Sequence, residues 1–319
     1  MTGGDAGRML GKGFIMNKKL FGEEIKRGLE DRFEGNLEIK LQEVKKNNGV
    51  MLLGIMVNDT EKNVAPTVYL DDLFRDWEGG RTMEDILDLL ERSIRSGMPK
   101  KRIDMEFFTD YDVVKDKICY KLINGEKNRE LLEEIPNIPF LDLAICFYYP
   151  FYHEEIGHGS ILIRNDHLKS WGVTVTDVWK AAEHNTRLAY PQQCCPMEEL
   201  LLEITGKKAK IWPALPEENE EGPFAMKILT NRQRVFGAAV ILYDRYLEEL
   251  ADCLNGNFYL LPCSIHEMIL LPEKENMEKR FLENMVRDSN EKVVEEQEYL
   301  SDHVYFFDRT RKRVEIVTP

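Results

Sequence analysis

Two alternating apolar segments joined by a short polar connection constrain the fold of this chain more than any other feature. The segments are residues 37–44 and 50–57, and the connection ends in Asn48-Gly49. An Asn-Gly pair favours the left-handed backbone of a tight turn, and alternation puts apolar side chains on one face of each strand. The sequence therefore predicts an antiparallel hairpin with one face available for packing.

Short helical and strand patterns alternate along the rest of the chain. The predicted helices include residues 20–33, 82–96 (capped by Thr82) and 113–123. The predicted strands include residues 140–149, 238–243, 258–262 and 267–271. Hydrophobic residues make up 43% of the sequence, which is enough to form a core. We expect an α+β fold of short, largely antiparallel strands and packed helices in two lobes, rather than a doubly wound parallel sheet.

Composition shifts along the chain suggest where the lobes begin and end. Residues 1–15 contain five scattered glycines and no apolar run, so we expect a flexible extension there. Residues 206–223 carry Pro213, Pro216 and an acidic run at 217–221, a composition typical of an exposed loop. The sequence therefore predicts an N-terminal α+β lobe over 16–205, a connecting acidic loop over 206–223 and a C-terminal α+β lobe over 224–319.

Charge and apolar length exclude some classes of protein. The chain has 43 Lys and Arg against 57 Asp and Glu, a formal net charge of −14, which opposes direct binding to nucleic acid. The most apolar run, residues 140–151, is too short for a membrane helix and contains Asp142. The six cysteines form no Cys-x-x-Cys motif, a pattern that favours a reducing compartment, so we predict a cytoplasmic protein.

A histidine-rich segment resembles a zinc-binding helix only superficially. His153 and His158 are five positions apart, whereas two ligands on one helical face need a spacing of three or four. Gly157 also interrupts any helix. We therefore predict no metal site and no cofactor.

A Glu-x-Lys tripeptide lies on the first predicted strand. Glu38-Ile39-Lys40 has the residue types with which a metal-dependent nuclease holds Mg²⁺ and stabilises the attacked phosphate. In a chain with 31% charged residues, alternation on a strand produces such tripeptides without any catalytic role. The nuclease hypothesis is the less favoured one.

A second chemically suggestive segment brings a thiol, a hydroxyl, an imidazole and a carboxylate together. Cys263, Ser264, His266 and Glu267 lie within five residues. On a continuous strand Ser264 and His266 share one face and Cys263 takes the other, which separates the thiol from the imidazole that would activate it. Ser264, His266 and Glu267 remain the candidate catalytic residues, against the alternative of a polar hairpin corner.

Several longer phrases together resemble a domain-of-unknown-function family common in gut Clostridia. The phrases are residues 47–50, 65–70, 107–128, 139–149, 161–173, 229–243, 258–272 and 300–308. The resemblance implies no particular activity or substrate. It implies a setting in mobile-element accessory regions and, through that setting, a role in defence or counter-defence.

The favoured hypothesis is a non-catalytic intracellular protein-interaction protein, because no complete set of nucleophile, base and stabiliser is evident. A specific form is an acidic accessory protein or inhibitor that acts on a nucleic-acid-binding effector, since complementary potentials speed association. We expect a protein partner and no direct contact with nucleic acid or membrane, and the candidate contact residues are Asn231, Arg234 and Asp302. The alternatives are a hydrolase or transferase with its site around Ser264, His266 and Glu267, and a small-ligand sensor.

Overall fold

The computed structural model describes most of the chain, with gaps. The described residues are 8–10, 14–34, 37–59, 61–62, 65–99, 101–102, 106–154, 157–197, 226–275 and 277–318. Helices and antiparallel strands are mixed along the chain, which confirms the predicted α+β class. Among these residues no helix has both the length and the apolar character needed to cross a membrane.

The chain divides into two compact units. Unit 1 is Met1–Phe107 with Phe151–Gly159, and unit 2 is Phe108–Pro150 with Ser160–Pro319. The predicted lobe boundary at 206–223 is corrected by this division, because the strands Gln192–Pro196 and Lys227–Asn231 on its two sides pair with each other. Proline and charge mark a loop, but they carry no information about whether the flanking strands share a sheet. Residues 206–223 themselves lie outside the described residues.

The described residues of unit 1 form two small antiparallel sheets and three α-helices. The strands are β1 (Arg8–Leu10), β2 (Phe14–Met16), β3 (Glu38–Lys45), β4 (Met51–Asn58) and β5 (Thr67–Tyr69). The helices are α1 (Lys18–Arg32), α2 (Asp71–Glu78) and α3 (Met83–Gly97). β1 pairs with β2, so the predicted flexible extension contains a short ladder; its other residues lie outside the described part.

The predicted hairpin is β3–β4, which pairs without a break from Glu38 and Asn58 to Lys45 and Met51. Its turn is a short 3₁₀ segment in which Asn48 and Gly49 have φ angles of 60° and 72°. β5 pairs with β4, and the sheet order is β3-β4-β5. The left-handed conformation that the Asn-Gly pair favours is therefore the one that the turn uses.

The core of unit 1 forms between this sheet and the apolar faces of the helices. α1 buries Phe21, Ile25 and Leu29 completely. Phe21 also contacts Phe74 and Trp77 of α2, at ring centroid distances of 5.3 and 5.8 Å. Ile25 and Leu29 belong to the helical spacing that predicted this helix from the sequence.

The described residues of unit 2 form most of two larger antiparallel sheets. The first has the order β6-β8-β7, with β9 also paired to β8, and the second has the order β10-β11-β13-β12-β14-β15. The strands of the first are β6 (Cys119–Asn124), β7 (Asn137–Phe140), β8 (Leu143–His153) and β9 (Gly157–Leu162). Those of the second are β10 (Gln192–Pro196), β11 (Lys227–Asn231), β12 (Phe258–Ser264), β13 (Glu267–Pro272), β14 (Tyr305–Asp308) and β15 (Arg313–Ile316).

Six described helices accompany these sheets. They are α4 (Tyr111–Val114), α5 (Arg129–Glu134), α6 (Asn165–Trp171), α7 (Val175–Ala189), α8 (Tyr246–Leu254) and α9 (Lys279–Lys292). Two predicted elements are wrong. The helix predicted over 113–123 ends early and gives way to β6, and the strand predicted over 238–243 is a buried 3₁₀ helix, Gly237–Leu242.

Candidate functional site

The turn between β12 and β13 holds the three candidate catalytic residues. Ser264 pairs directly with Glu267, so Ile265 and His266 form the turn. The main-chain N–H of His266 donates to Ser264 Oγ at 3.0 Å, and the Ser264 residue is only 9% exposed. The Ser264 hydroxyl therefore closes the turn, as the hairpin-corner alternative predicted.

The His266 imidazole is hydrogen-bonded at Nδ1 and has a carboxylate oxygen near Nε2. Nδ1 accepts the main-chain N–H of Phe236 at 3.1 Å, and Nε2 lies 3.7 Å from Glu298 Oε1. The ring also stacks on Phe236, with centroids 5.6 Å apart and an interplanar angle of 13°. Burial lowers the pKa of His266, although the Glu298 carboxylate opposes this. A neutral ring with its proton on Nε2, directed towards Glu298, fits these contacts.

The nucleophiles of this segment are not paired with the imidazole. Ser264 Oγ receives the main-chain N–H of His266, and the two ring nitrogens face Phe236 and Glu298. Burial raises the pKa of the Cys263 thiol to about 12, so the thiol stays protonated at neutral pH. Nucleophilic catalysis needs a hydroxyl or thiol within hydrogen-bond reach of a base, and this arrangement does not supply that pair.

The segment Asn231–Gly237 lies next to this turn. Its first residue, Asn231, is hydrogen-bonded to the backbone of Val235 and so closes the segment into a loop. The Asn231 side chain donates from Nδ2 to Val235 O at 2.8 Å and accepts from Val235 N at 3.2 Å. Asn231 is 2% exposed, so this candidate contact residue acts as the internal brace of the loop. We call residues 232–235 the arginine loop.

The backbone is strained but firmly held at Arg234 in the arginine loop and at Phe236, which follows the loop. Arg234 and Phe236 have φ angles of 54° and 52°, a left-handed conformation that costs a non-glycine residue about 1–3 kcal/mol. The backbone at Gly237 packs directly against Thr230 and His266. Only glycine fits there, because a Cβ would overlap the Thr230 hydroxyl and the His266 carbonyl oxygen. Thr230 Oγ1 donates to that same carbonyl at 2.8 Å. Side-chain bonds from Asn231 at the end of β11 and from His266 in the β12–β13 turn therefore hold the unusual backbone.

Aromatic and cationic groups anchor Phe236, the residue that follows the loop. Its ring meets Tyr148 edge-on, with centroids 5.1 Å apart, and Lys121 Nζ lies 4.5 Å from its centroid. With His266 stacked on the ring as well, Phe236 is contacted by β6, β8 and the β12–β13 turn. The end of the arginine loop is thus fixed to both sheets of unit 2.

The arginine loop presents polar and apolar groups outward. Arg232 and Gln233 are exposed, Val235 is 38% exposed, and Arg234 is half-buried. Gln233 Nε2 donates to Ala189 O at the end of α7 at 2.9 Å, which fixes the loop on a further side. The Arg234 guanidinium opposes the rise that burial imposes on the pKa of the Glu267 carboxyl, so the two charges interact.

Asp302, the remaining candidate contact residue, belongs to a different part of unit 2. It accepts a hydrogen bond from Asn290 Nδ2 of α9 at 2.8 Å, and Asn290 also donates to Ser301 O at 2.9 Å. None of the described hydrogen bonds joins Asp302 to the arginine loop or to the His266 turn. The structure therefore groups Ser264, His266, Glu267, Asn231 and Arg234 but not Asp302.

A polar network around Asp142 was not anticipated from the sequence. Its carboxylate accepts from Ser301 Oγ and Tyr305 Oη, each at 2.7 Å, and lies 3.1 Å from His303 Nδ1. The residue types match a hydrolytic triad, but the Ser301 hydroxyl donates directly to the carboxylate and Ser301 is 0% exposed. In a triad the imidazole lies between the hydroxyl and the carboxylate, so this network is structural.

The charged residue within the apolar run 140–151 was the available signal for this network. A carboxylate that is largely removed from water needs hydrogen-bond donors. Its donors lie about 160 residues further along the chain, with a sequence separation of 159 for Ser301, and the sequence does not identify them.

The two histidines of the histidine-rich segment lie in strands rather than in a helix. His153 ends β8 and His158 lies in β9, where its ring contacts that of Tyr152 at 4.9 Å. Within the described part of the chain, no three His, Cys, Asp or Glu side chains are grouped as metal ligands.

Fold and site together define an α+β protein with two antiparallel-sheet units and a braced, strained loop that carries two arginines. The chain belongs to the family of unknown function DUF5688, which it matches over residues 18–309. Comparisons with curated proteins and with solved structures gave no match.

Proposed function

We propose that this chain is a non-catalytic protein-interaction protein that contacts its partner through the arginine loop. One observation carries the proposal: two strained non-glycine residues, Arg234 and Phe236, are held in place by bonds from Asn231 and His266. Strained backbone persists only where the surroundings determine it, and it is concentrated at sites that bind. The conformational cost of the loop is thus met by folding rather than by association.

The exposed groups of the loop suit a protein surface. Arginine is among the residues enriched at the energetic centres of interfaces, and the exposed Val235 adds apolar contact beside Arg232. A loop that is already ordered loses little conformational entropy on binding, which raises affinity for a given contact area. These features support recognition of a protein surface with acidic and apolar groups.

The acidic excess of the chain contributes at longer range. Several described carboxylates form local pairs with Lys or Arg, such as Asp288 with Lys292 and Asp112 with Lys115. A net charge of −14 nevertheless attracts a basic partner and speeds its approach. This supports the specific form of an accessory protein or inhibitor of a nucleic-acid-binding effector.

The biological setting is part of the same proposal. A cytoplasmic location, a mobile-element context in gut Clostridia and a role in defence or counter-defence follow from the cysteine pattern and from the family resemblance. For this reason the capture experiment described below uses the cytoplasm of a gut Clostridium.

The alternative of a hydrolase or transferase is favoured by one observation, the grouping of Ser264, His266 and Glu267 with Arg234. An enzyme of this kind would require the Ser264 hydroxyl to give up its hydrogen bond with the main-chain N–H of His266 and to turn towards the imidazole ring. Turnover assays with esterase, phosphatase and nuclease substrates test it: activity that His266→Ala removes without loss of folding would support the enzyme, and absence of turnover would oppose it.

The interaction proposal is tested by affinity capture from a host cytoplasm, with the full chain as bait and quantitative mass spectrometry of the retained proteins. Arg232→Ala combined with Val235→Asp is expected to reduce retention of the specific partner by about tenfold or more. Val113→Asp is the matched control, because Val113 is 51% exposed in the same unit but lies on α4. Equal retention by both variants, or no specific retention by the wild-type chain, contradicts the proposal.

A further inference from the structure

A cavity in unit 1 is a second candidate site, and the arginine loop does not account for it. It has a volume of about 540 Å³ and is open to solvent. Pockets that bind small molecules commonly have volumes of about 300–1,000 Å³, so the cavity is large enough for a ligand. Its lining residues are Arg32, Phe33, Glu34, Leu37, Ile94, Arg95 and Met98.

The C-terminal ends of two helices form most of the wall of this cavity. α1 ends at Arg32 and α3 ends at Gly97. The residues that follow these two ends, Phe33 and Met98, both line the cavity. The last carbonyl groups of a helix lack intrahelical donors, and they carry partial negative charge equivalent to about half an elementary charge per helix. Two such ends at one cavity favour a cation within it.

The two arginines of the wall are already paired, so they do not offer a site for an anion. Arg95 Nη2 lies 2.8 Å from a carboxylate oxygen of Glu91. Arg32 pairs with three carboxylates of α3, which are Asp88 at 2.6 Å, Glu91 at 3.1 Å and Glu84. An anionic ligand would have to displace a carboxylate from one of these guanidinium groups, whereas a cationic ligand leaves every pair intact.

Glu34 supplies a carboxylate without a counter-charge. It lines the cavity and is exposed, and its side chain takes part in no ion pair or hydrogen bond among the described residues. Its φ angle of 51° is the left-handed conformation that glycine usually supplies after a helix end. Together with the three carboxylates that pair with the arginines, Glu34 gives four negative charges against two positive ones. This excess of two negative charges also favours a cation.

The apolar part of the wall favours a ligand with a hydrocarbon body. Leu37 and Met98 are half-buried, so each keeps part of its side chain accessible beside the cavity while the rest packs against the core of unit 1. Ile94 and Phe33 lie deeper, with exposures of 0% and 7%. A hydrocarbon body that covers Leu37 and Met98 removes apolar surface from water, which is favourable.

We infer that this cavity binds a small organic cation, namely an amine carried by an apolar chain or ring. The ammonium group lies beside Glu34 and the two helix ends, and the hydrocarbon body covers Leu37 and Met98. All of the lining residues belong to unit 1. The inference is therefore independent of the arginine loop and of the interaction function proposed for it.

Three probes with the same phenylethyl body test this inference on the full chain: phenethylamine, 2-phenylethanol and 3-phenylpropionate. Binding is followed by the NMR signal of the Met98 methyl group in protein labelled at its methionine methyls, with Met98→Leu to assign the signal. We expect a saturable shift with the amine, which should bind about fivefold more tightly than the alcohol and more tightly still than the carboxylate. The methyl group of Met51, a residue 47% exposed at the other end of the β3–β4 hairpin, is the control and should not shift.

A charge-removing variant separates the ion pair from the apolar contact. Glu34→Gln should weaken binding of the amine about threefold and leave binding of the alcohol unchanged, because only the amine carries a charge. Glu78→Gln is the matched control, since Glu78 is exposed in the same unit at the end of α2, and it should change neither affinity. Three outcomes overturn the proposal: the carboxylate binds as tightly as the amine, the amine causes no saturable shift at Met98, or Glu34→Gln leaves the ratio of the amine and alcohol affinities unchanged.

Discussion

The two units of this protein organise their polar groups in different ways. In unit 1 the described buried polar residue is Asn48, which belongs to the hairpin turn, and the charged groups form surface pairs, as Arg32 does with Asp88 at 2.6 Å. Unit 2 buries a larger set, namely Asn124, Asn128, Thr186, Thr230, Asn231, Ser264 and Ser301. Unit 1 is thus determined mainly by apolar periodicity, and unit 2 also by specific hydrogen bonds.

The consequence is visible in the backbone. The described non-glycine residues with positive φ are Glu34 and Asn48 in unit 1, and Leu141, Arg234, Phe236, Arg245, Asn255 and Lys312 in unit 2. A buried side chain that bonds to the backbone can hold a conformation that local sequence disfavours. The units therefore differ in what a substitution disturbs: packing in unit 1, and loop geometry in unit 2.

The largest effect that tests this comparison is expected at Gly237 in unit 2. Gly237→Ala places a methyl group against the Thr230 hydroxyl and the His266 carbonyl, and should lower the free energy of unfolding by about 3–5 kcal/mol. Chemical denaturation followed by circular dichroism measures it. Gly256→Ala is the control, because its added Cβ has only Leu254 O within 4 Å, at 3.9 Å. Similar losses in both variants would contradict a specific close approach.

In unit 1 the corresponding test removes packing. Ile25 is 0% exposed, and Ile25→Ala should cost about 2–4 kcal/mol through lost contacts and an internal cavity. Hydrogen–deuterium exchange should increase in peptides from α1, β3 and β4, and remain unchanged around the arginine loop. Leu188→Ala, at a residue 67% exposed, should leave exchange unaltered. An equal increase throughout both units would show that they do not unfold separately.

The Asn231 side chain, which braces the arginine loop, should contribute less to the stability of the whole protein than Gly237 or Ile25. Its main effect should be on the order of the loop itself. Asn231→Ala removes both bonds to Val235 and should cost about 1–3 kcal/mol. Exchange of the Val235 and Phe236 amides should accelerate, and partner capture through the loop should weaken. If capture falls while exchange stays slow, the side chain of Asn231 contacts the partner and the brace interpretation is wrong.

The smallest expected effect is a pH dependence from His266. Its folded-state pKa is lowered by burial, so below the unfolded value near 6.5 the unfolded chain binds the proton more readily. Stability from this group is therefore full above about pH 6.5 and is lost as pH falls towards the folded pKa. His266→Gln should flatten this part of the stability curve.

The pH measurement is best made in a Glu267→Gln background. Burial raises the pKa of the Glu267 carboxyl in the folded protein. The protein therefore loses stability through this group as the pH rises above the carboxyl's pKa in the unfolded chain, which is opposite to the effect of His266. An identical slope with and without the His266 imidazole would show that another group carries the dependence.

Apolar spacing was sufficient for much of unit 1. The β3–β4 hairpin and helices α1 and α3 follow from alternation, from helical periodicity and from local caps, and Thr82 accepts the Asp85 N–H as its position predicted. All of these signals lie within a few residues of the element that they specify. The mixture of short helical and strand patterns likewise indicated the α+β class.

In unit 2 the same patterns predicted the wrong secondary structure for two segments that are buried on nearly all sides. β6 has apolar residues on both sides, so it lacks strand alternation, and its pairing with β8 decides its conformation. The run Gly237–Leu242 is buried nearly throughout, and its periodicity does not distinguish a strand from a 3₁₀ helix. Local pattern fails when nearly every position of a segment is buried.

The sequence by itself determined the local elements of this protein, its charge balance and the residue types available at the candidate site. Only the tertiary structure decided three sets of hydrogen bonds. Ser264 and His266 close a turn, Asn231 braces the arginine loop, and Asp142 accepts hydrogen bonds from Ser301 and Tyr305. The physical reason is distance along the chain: propensities and periodicity act over a few residues, whereas these hydrogen bonds join segments that only the folded chain brings together.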